Sequence, residues 1–119
     1  IASFPYRDGG RIRVEPFVVA ERQGQTVARN MLGTREKYEA IPFFWSVHYD
    51  SAVSYVGHAT KWDEVVVSGD IAKGDAIVAY RAGGKAIAFA TLGRDLASLE
   101  AELGLERDDA AALRTLTAR

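Results

Sequence analysis

The sequence contains two histidines, His48 and His58, and the acidic residues nearest to them are Asp50 and Asp63. A metal site or an acid–base pair needs side chains that converge on one point and are held there by further hydrogen bonds. Nothing in this spacing forces such convergence, so we expect both histidines to be surface or packed residues. The sequence therefore predicts no metal site.

The residues that most often carry nucleophilic or phosphate-binding chemistry also lie outside the known motifs. Ser46 and Ser54 are not in a nucleophile-elbow sequence, and the glycine pairs at 9–10 and 83–84 form neither G-x-G-x-x-G nor a Walker sequence. The chain has no cysteine, which excludes disulfides, thiolate metal sites and a redox-active cysteine pair. We predict no catalytic residue, and we expect most of any nucleotide pocket to lie elsewhere.

The most informative run is Ile-Pro-Phe-Phe-Trp-Ser at positions 41–46, an aromatic cluster that follows a proline at the start of a predicted strand. Aromatic side chains bury large areas and usually mark a hydrophobic core. Taken alone, the run therefore predicts packing rather than a binding site.

A helix is predicted at 16–32, because apolar residues recur there near helical spacing. Pro16 suits a first-turn position, and Gly33 follows the last apolar residue as a stop signal. The charged residues of this helix are expected to form a solvated face without a catalytic role: Glu21, Arg22 and Arg29. A loop or hairpin tip is predicted before it, at 6–10.

Beyond position 40 the sequence changes to β-branched and aromatic runs bounded by turn residues. Five strands are predicted, at 43–49, 52–57, 64–68, 76–82 and 85–92. A glycine-containing turn at 81–85 should join the last two as a hairpin. Helical spacing of Leu96, Leu99 and Leu103 predicts a helix after Gly93, and Asp108 and Asp109 can cap a second one. The fold class is thus α+β, with a five-stranded, mainly antiparallel sheet and flanking helices.

The composition argues against nucleic-acid binding and against a membrane-spanning segment. The 119 residues carry a formal net charge of -1, which gives no global electrostatic reason to bind nucleic acid or an anionic membrane. No run approaches the ~20 apolar residues of a membrane span, and a cytoplasmic location fits the sequence. The chain opens on Ile1 rather than methionine, so we expect it to continue upstream.

Several fragments in order resemble the C-terminal part of ferredoxin-reductase-type and apoptosis-inducing-factor-like flavoproteins. They are Arg-Val-Glu at 13–15, the helical stretches at 18–25 and 28–33, Pro-Phe-Phe-Trp-Ser at 42–46 and Tyr-Val-Gly at 55–57. The later stretch at 62–67, with Gly-Asp at 69–70 and Tyr-Arg at 80–81, is most similar to the apoptosis-inducing-factor-like branch.

The resemblance implies a parent enzyme with two Rossmann-type nucleotide domains followed by an α+β C-terminal domain. Residues 1–33 would be the tail of the FAD-binding domain, including the helix at 16–32, and residues 40–119 would be the C-terminal domain. FAD and NAD(P)H would bind in the parent, and this fragment alone is expected to hold neither. The identity of the nicotinamide cofactor, NADH or NADPH, stays open.

The resemblance also assigns cofactor-facing positions. Glu15 matches the acid that opens the flavin-side helix, with Pro16 and Phe17 at the helix N-terminus, and Trp45 matches the aromatic residue beside the flavin and nicotinamide. Pro16 and Phe17 replace a histidine and a tryptophan that are frequent in the family, so only backbone contacts carry over there. The stretch at 46–48 also departs from the family's Ser-Asp-Gln, which leaves the electron acceptor open.

The leading hypothesis is therefore a C-terminal piece of an FAD-dependent NAD(P)H oxidoreductase that passes electrons to an iron–sulfur or Rieske-type partner. Its immediate partners would be the upstream FAD and NAD(P)H domains. The alternative is a free-standing protein-interaction domain that uses a sheet edge or the aromatic run. Self-association is a third hypothesis, with a homodimer expected through Phe17, Phe44 or Trp45.

Overall fold

The computed structural model describes residues 2–118 and contains the predicted five-stranded antiparallel sheet, with strand order β3-β4-β7-β6-β5. The strands are β1 (Phe4–Pro5), β2 (Arg11–Ile12), β3 (Phe43–His48), β4 (Ser51–Gly57), β5 (Glu64–Asp70), β6 (Asp75–Ala82) and β7 (Lys85–Leu92). The helices are α1 (Phe17–Met31), α2 (Asp95–Glu106) and α3 (Ala110–Leu116), with a 3₁₀ turn at Ile71–Lys73. The predicted α+β class is confirmed; Ile1 and Arg119, the ends of the two predicted segments, lie outside the described residues.

The predicted hairpin between β6 and β7 is present. Ala82 pairs with Lys85, and the turn residues Gly83 and Gly84 have φ angles of 58° and 77°. Two consecutive positive φ angles are typical of the tight turn that matches strand twist, and glycine adopts them without steric cost. A register shift between Tyr80 and Arg81 then aligns the rest of the pair.

One face of the sheet is covered by α2 and α3, and this layer contains the main core. Its buried members come from the sheet, both helices and the segment before β3: Ile41, Val56, Ile77, Ala79, Phe89, Ala101, Leu105, Leu113 and Leu116. A second, smaller cluster joins the β1–β2 hairpin to α1 through Phe4, Ile12 and Val19. Tyr38 packs on it, with an edge-to-face contact to Phe4 at 4.8 Å.

Three of the four leucines of helix α2 do not pack into the core. The spacing of Leu96, Leu99 and Leu103 predicted the helix, yet all three are exposed, while Ser98, Glu102 and Leu105 are buried. Ser98 can be buried because its hydroxyl donates to the Asp95 carbonyl at 2.7 Å, and its small volume lets the helix approach the strands.

Glu102 is buried because an ion pair neutralises it. Its carboxylate lies 2.5 Å from the guanidinium of Arg22 on α1, which also donates to the Ile41 carbonyl at 3.3 Å. The prediction that Arg22 belongs to a solvated face is therefore wrong: its side chain is two-thirds buried in this contact, with 33% exposed. A charged residue on an amphipathic helix takes this place when a buried partner of opposite charge comes from a distant part of the chain.

A second contact joins the N-terminal hairpin to α2. The Arg7 guanidinium donates to the carbonyls of Leu105 and Glu106 at the C-terminus of α2. Carbonyls in the last turn of a helix carry partial negative charge, so a cation there stabilises the helix end; the Leu105 carbonyl also accepts from the Asp108 N–H at 3.3 Å. Arg7 and Arg22 together attach the N-terminal segment to the covering helix.

Candidate functional site

A cleft of about 300 Å³ opens at the N-terminus of α1, where that helix meets the beginning of β3 and the end of β4. Its lining comes from all three elements: Val14, Glu15, Pro16, Pro42, Phe43, Phe44, Tyr55, Gly57 and His58. The Gly57 N–H donates to the Pro42 carbonyl at 2.8 Å, which holds the two strand ends together. The cleft therefore lies at a junction where three parts of the chain are fixed relative to one another.

The N-terminus of α1 is not capped by a side chain. Pro16 occupies the cap position without a side-chain hydrogen bond, and its carbonyl accepts from Val19 and Ala20. The first backbone N–H groups of a helix have no intrahelical acceptor and carry partial positive charge. Glu15 does not cap them, because its carboxylate lies 3.5 Å from Arg13 in an exposed ion pair. This end of the helix can therefore donate hydrogen bonds to an anion or to ring carbonyls.

Phe17 and Trp45 form an edge-to-face pair beside the cleft. Their ring centroids are 6.0 Å apart at an interplanar angle of 89°, and the side chains are 61% and 50% exposed. Trp45 is not part of the cleft lining: the β3 residues that line it are Phe43 and Phe44, at the start of the strand, and Trp45 lies one residue further along, against Phe17. The structure thus places Glu15 and Pro16 on the cleft, and Phe17 and Trp45 in an exposed aromatic pair next to it.

Seven cleft residues were absent from the predicted site: Val14, Pro42, Phe43, Phe44, Tyr55, Gly57 and His58. Phe44 and Tyr55 are cross-strand partners whose rings lie 5.7 Å apart. The Tyr55 hydroxyl accepts from the Ala59 N–H at 3.1 Å, and His58 makes an edge contact with Tyr6 at 5.8 Å. The signal for Phe44 and Tyr55 was present in the two predicted strands, since antiparallel pairing across the short predicted link at 50–51 sets the two rings opposite each other.

Burial gives the cleft tyrosine a distinctive titration. Desolvation raises the pKa of Tyr55 above its usual value of 10.0, and the hydrogen bond from Ala59 opposes that shift. A proton held more tightly in the folded state contributes stability that is present below the unfolded pKa and is lost as pH rises through the folded pKa. We expect stability to urea to fall more steeply above about pH 10 in the native chain than in Tyr55→Phe. Equal slopes, with tyrosinate absorbance confirming the titration, would contradict this.

The two histidines do not converge. His48 ends β3 and its Nε2 lies 2.9 Å from the Ser46 hydroxyl, whereas His58 follows the opposite end of the β3–β4 pair. Within residues 2–118 no group of three or more histidine, aspartate or glutamate side chains is placed to hold a metal ion.

A larger cavity, of about 490 Å³, lies between the β1–β2 hairpin and the segment before β3, and it is less suited to a ligand. Among its lining residues, the Arg7 guanidinium is engaged by the carbonyls of α2. The Tyr38 hydroxyl there is buried without a hydrogen-bond partner among the described residues, and desolvation raises its pKa. One phenol without converging polar groups does not define a binding site.

Within residues 2–118, no helix combines the length and the apolar character needed to cross a bilayer.

Comparison with known proteins gives a consistent result. The family described as "Reductase C-terminal" matches residues 43–117. The chain is 37% identical over 89 residues to the 5,5'-dehydrodivanillate O-demethylase ferredoxin reductase subunit of Sphingobium sp., covering 75% of this chain and 22% of that protein. It is 25% identical to human apoptosis-inducing factor 3 over 95 residues, which cover 78% of this chain and 16% of that protein.

The crystal structure of the covalent putidaredoxin reductase–putidaredoxin complex superimposes with a TM-score of 0.88 at 25% identity, over 98% of this chain and 28% of that one. The chain thus spans about a fifth of the length of the curated relatives that it matches.

Proposed function

Because the chain belongs to the reductase C-terminal family, as its motifs predicted, we propose that it is the C-terminal domain of an FAD-dependent NAD(P)H oxidoreductase. In this proposal the whole enzyme passes electrons to an iron–sulfur or Rieske-type partner. The observation that carries the proposal is the uncapped N-terminus of α1, which opens onto an aromatic-lined cleft.

The residues of the cleft fit one edge of a flavin. A flavin, when bound, accepts a hydride and passes on electrons. The free N–H groups after Pro16 can donate to the pyrimidine edge of the ring, where negative charge is favoured by the helix dipole. Phe44 lies on the same cleft and can exclude water from that edge. The rest of the pocket must come from other domains, because this chain contains no glycine-rich phosphate motif.

The four assigned residues act in different ways in this proposal. Pro16 and Phe17 set the direction of the helix N-terminus, and Glu15 precedes it with its charge balanced by Arg13. Trp45 provides a flat apolar wall, held by its edge contact with Phe17, that faces the flavin and nicotinamide side of the parent enzyme. None of them exchanges electrons or protons with the substrate.

The proposed domain division follows the two hydrophobic clusters. Residues 1–33 would complete the FAD-binding domain. The cluster of Phe4, Ile12 and Val19 supports this, because none of these three residues belongs to the five-stranded sheet. Residues 40–119 would be the C-terminal domain, with the main core between the sheet and α2 and α3. The upstream FAD and NAD(P)H domains are then its permanent partners, in a cytoplasmic enzyme.

The proposal is tested by Trp45→Ala in the full-length reductase that contains this chain. We expect the rate of flavin reduction by NADH or NADPH to fall about tenfold, because the apolar wall that positions the rings is lost. Val47→Ala is the matched control, since Val47 lies on the same face of β3 and is similarly exposed, at 57% against 50%. Equal rates in the two variants would contradict a flavin-facing role for Trp45.

A titration of the isolated 119-residue chain with FAD completes this test. We expect no saturable change in tryptophan fluorescence up to about 1 mM FAD, since one wall of a pocket gives little affinity. Tight binding that Trp45→Ala abolishes would instead mean that the chain holds flavin by itself.

A free-standing interaction domain is the second candidate, and the exposure of Phe17 and Trp45 favours it. Such a domain could dock a partner or pair with a second copy through these rings. The two candidates differ in the encoding gene. Rossmann-type glycine motifs upstream in the same reading frame support the reductase, and their absence supports the interaction domain.

A further inference from the structure

The face of the sheet opposite α2 and α3 carries a continuous apolar surface, which we call the aromatic sheet face. It consists of Phe44, Tyr55, Trp62, Val65, Val67 and Tyr80. Each aromatic ring lies next to the following one, with ring centroids 5.7 Å apart for Phe44 and Tyr55, 6.1 Å for Tyr55 and Tyr80, and 5.3 Å for Tyr80 and Trp62. Val65 and Val67 extend the surface along the edge strand β5 and are 46% and 49% exposed.

Strand register explains why the rings meet across the sheet. Tyr55 on β4 pairs with Ala90 on β7, and Tyr80 on β6 pairs with Ala88 on the same strand. Because β7 contributes only alanines at this level, the two tyrosines can lean over it and touch. The surface therefore has large side chains on its flanks and small ones along its middle.

The aromatic sheet face lacks formal charge over most of its extent. The residues that share this side of β3 to β6 include no aspartate, glutamate, lysine or arginine, and on β7 the charged residue on this side is Lys85, next to the hairpin turn at one corner of the face. Arg94 reaches the far end beside Gly69, where its guanidinium is paired with Asp75 at 2.6 Å. Uncharged, aromatic surfaces are typical of permanent interfaces, whereas transient docking relies on complementary charge.

We propose that the nucleotide-binding domains of the same reductase polypeptide cover the aromatic sheet face, and that the electron acceptor docks elsewhere. This inference rests on the proposed function. Phe44 and Tyr55 belong both to this face and to the cleft at the N-terminus of α1, so a domain that brings the flavin to the cleft continues directly onto the face. The chain spans 22% and 19% of two ferredoxin reductase relatives, so proteins of this family have enough further chain to cover it.

Cysteine accessibility tests the proposal, because the chain has no cysteine of its own. Val67→Cys on the aromatic sheet face is compared with Leu99→Cys on the outer surface of α2, where the native side chains are 49% and 51% exposed. Labelling by a maleimide is followed at each site by peptide mass spectrometry, in the isolated chain and in the full-length reductase. Val65→Cys serves as a second variant on the face.

In the isolated chain we expect similar labelling rates at both positions. In the full-length reductase we expect labelling at Val67→Cys to slow by about tenfold or more relative to Leu99→Cys, since a covered site reacts only when the interface opens. Unchanged relative rates would overturn the proposal, as would protection that appears only after a ferredoxin is added.

The labelling outcome is independent of the flavin-reduction assay. A reductase that reduces its flavin normally but leaves Val67→Cys accessible refutes the covered face alone. An enzyme with a protected face and no Trp45-dependent reduction refutes the flavin-facing role alone.

Discussion

Replacing Gly57 with alanine is expected to destabilise the chain by about 3 kcal/mol, combining backbone strain with a steric clash. Gly57 has a φ of 90°, a conformation that alanine adopts only with strain. A Cβ atom there would contact the Ile87 carbonyl and lie 2.9 Å from the Ala88 Cα on the neighbouring strand. Neither backbone atom can move without disturbing the β4–β7 ladder, so the clash adds to the strain.

The measurement is urea unfolding of Gly57→Ala beside Gly9→Ala. Gly9 has a similar φ of 83°, but a Cβ there would meet nothing within 4 Å, so it reports the cost of the backbone conformation alone, about 1 kcal/mol. Equal losses of unfolding free energy in the two variants would show that the close approach of β4 and β7 adds nothing to the cost of the backbone conformation at Gly57.

The Gly57 substitution also has a consequence for the cleft. Gly57 lines it, and its N–H group fixes the start of β3 through the Pro42 carbonyl. A shift of this residue moves Pro42 and Phe44 relative to the N-terminus of α1. We therefore expect any loss of stability in Gly57→Ala to be accompanied by a change in flavin reduction in the full-length reductase.

Much of the fold could be predicted from the sequence because its signals are local. The five strands follow from β-branched and aromatic runs, and the 83–84 glycine pair specifies the β6–β7 turn by its need for positive φ. Helix α1 follows from apolar spacing between Pro16 and Gly33. These features depend on neighbouring residues, so no tertiary information was needed.

The orientation of α2 could not be predicted in this way. Its leucines specify a helix but not which face packs, because the packed face is decided by contacts with β4, β7 and α1. Glu102 is buried only because Arg22, eighty positions away, neutralises it. A hydrophobicity pattern records the side chains of the helix itself and cannot contain that distant charge.

All four candidate site residues were assigned by the resemblance to flavoproteins and not by local patterns. In the structure Glu15 and Pro16 line the cleft, whereas Phe17 and Trp45 form an aromatic pair beside it. Of the β3 residues, Phe43 and Phe44 line the cleft. Their place there depends on how the N-terminus of α1 meets the start of β3, which is a tertiary contact that the local pattern of the strand does not contain.

The ion pair between Arg22 and Glu102 is expected to contribute substantially to the free energy of unfolding. Replacing Arg22 with methionine is expected to destabilise the chain by about 2 to 3 kcal/mol, because it leaves the Glu102 carboxylate buried without a partner. The value lies below the range for fully buried pairs because the side chains remain 33% and 10% exposed, for Arg22 and Glu102 respectively. Urea unfolding at neutral pH measures it.

A double substitution shows whether the loss of stability comes from leaving a buried charge without its partner. Arg22→Met with Glu102→Leu should recover most of the loss, since two apolar side chains fill the site without an unpaired charge. Arg13→Met is the exposed control: its pair with Glu15, at 3.5 Å with both side chains about two-thirds exposed, should change stability by less than about 1 kcal/mol. No recovery in the double variant would contradict the burial of an uncompensated charge.

This ion pair also links stability to the proposed function. Arg22 lies on α1, whose N-terminus opens onto the cleft, and Glu102 lies on α2, which packs against the sheet that carries Phe44. If the pair sets the position of α1, then the apolar double variant should remain stable yet lose alignment between the helix N-terminus and Phe44. Flavin reduction in the full-length reductase should then be slower in the double variant than in the native enzyme, even where their stabilities match. Equal rates would mean that the hydrophobic contacts of Val19 and the Arg7 bonds to α2 suffice to hold the helix.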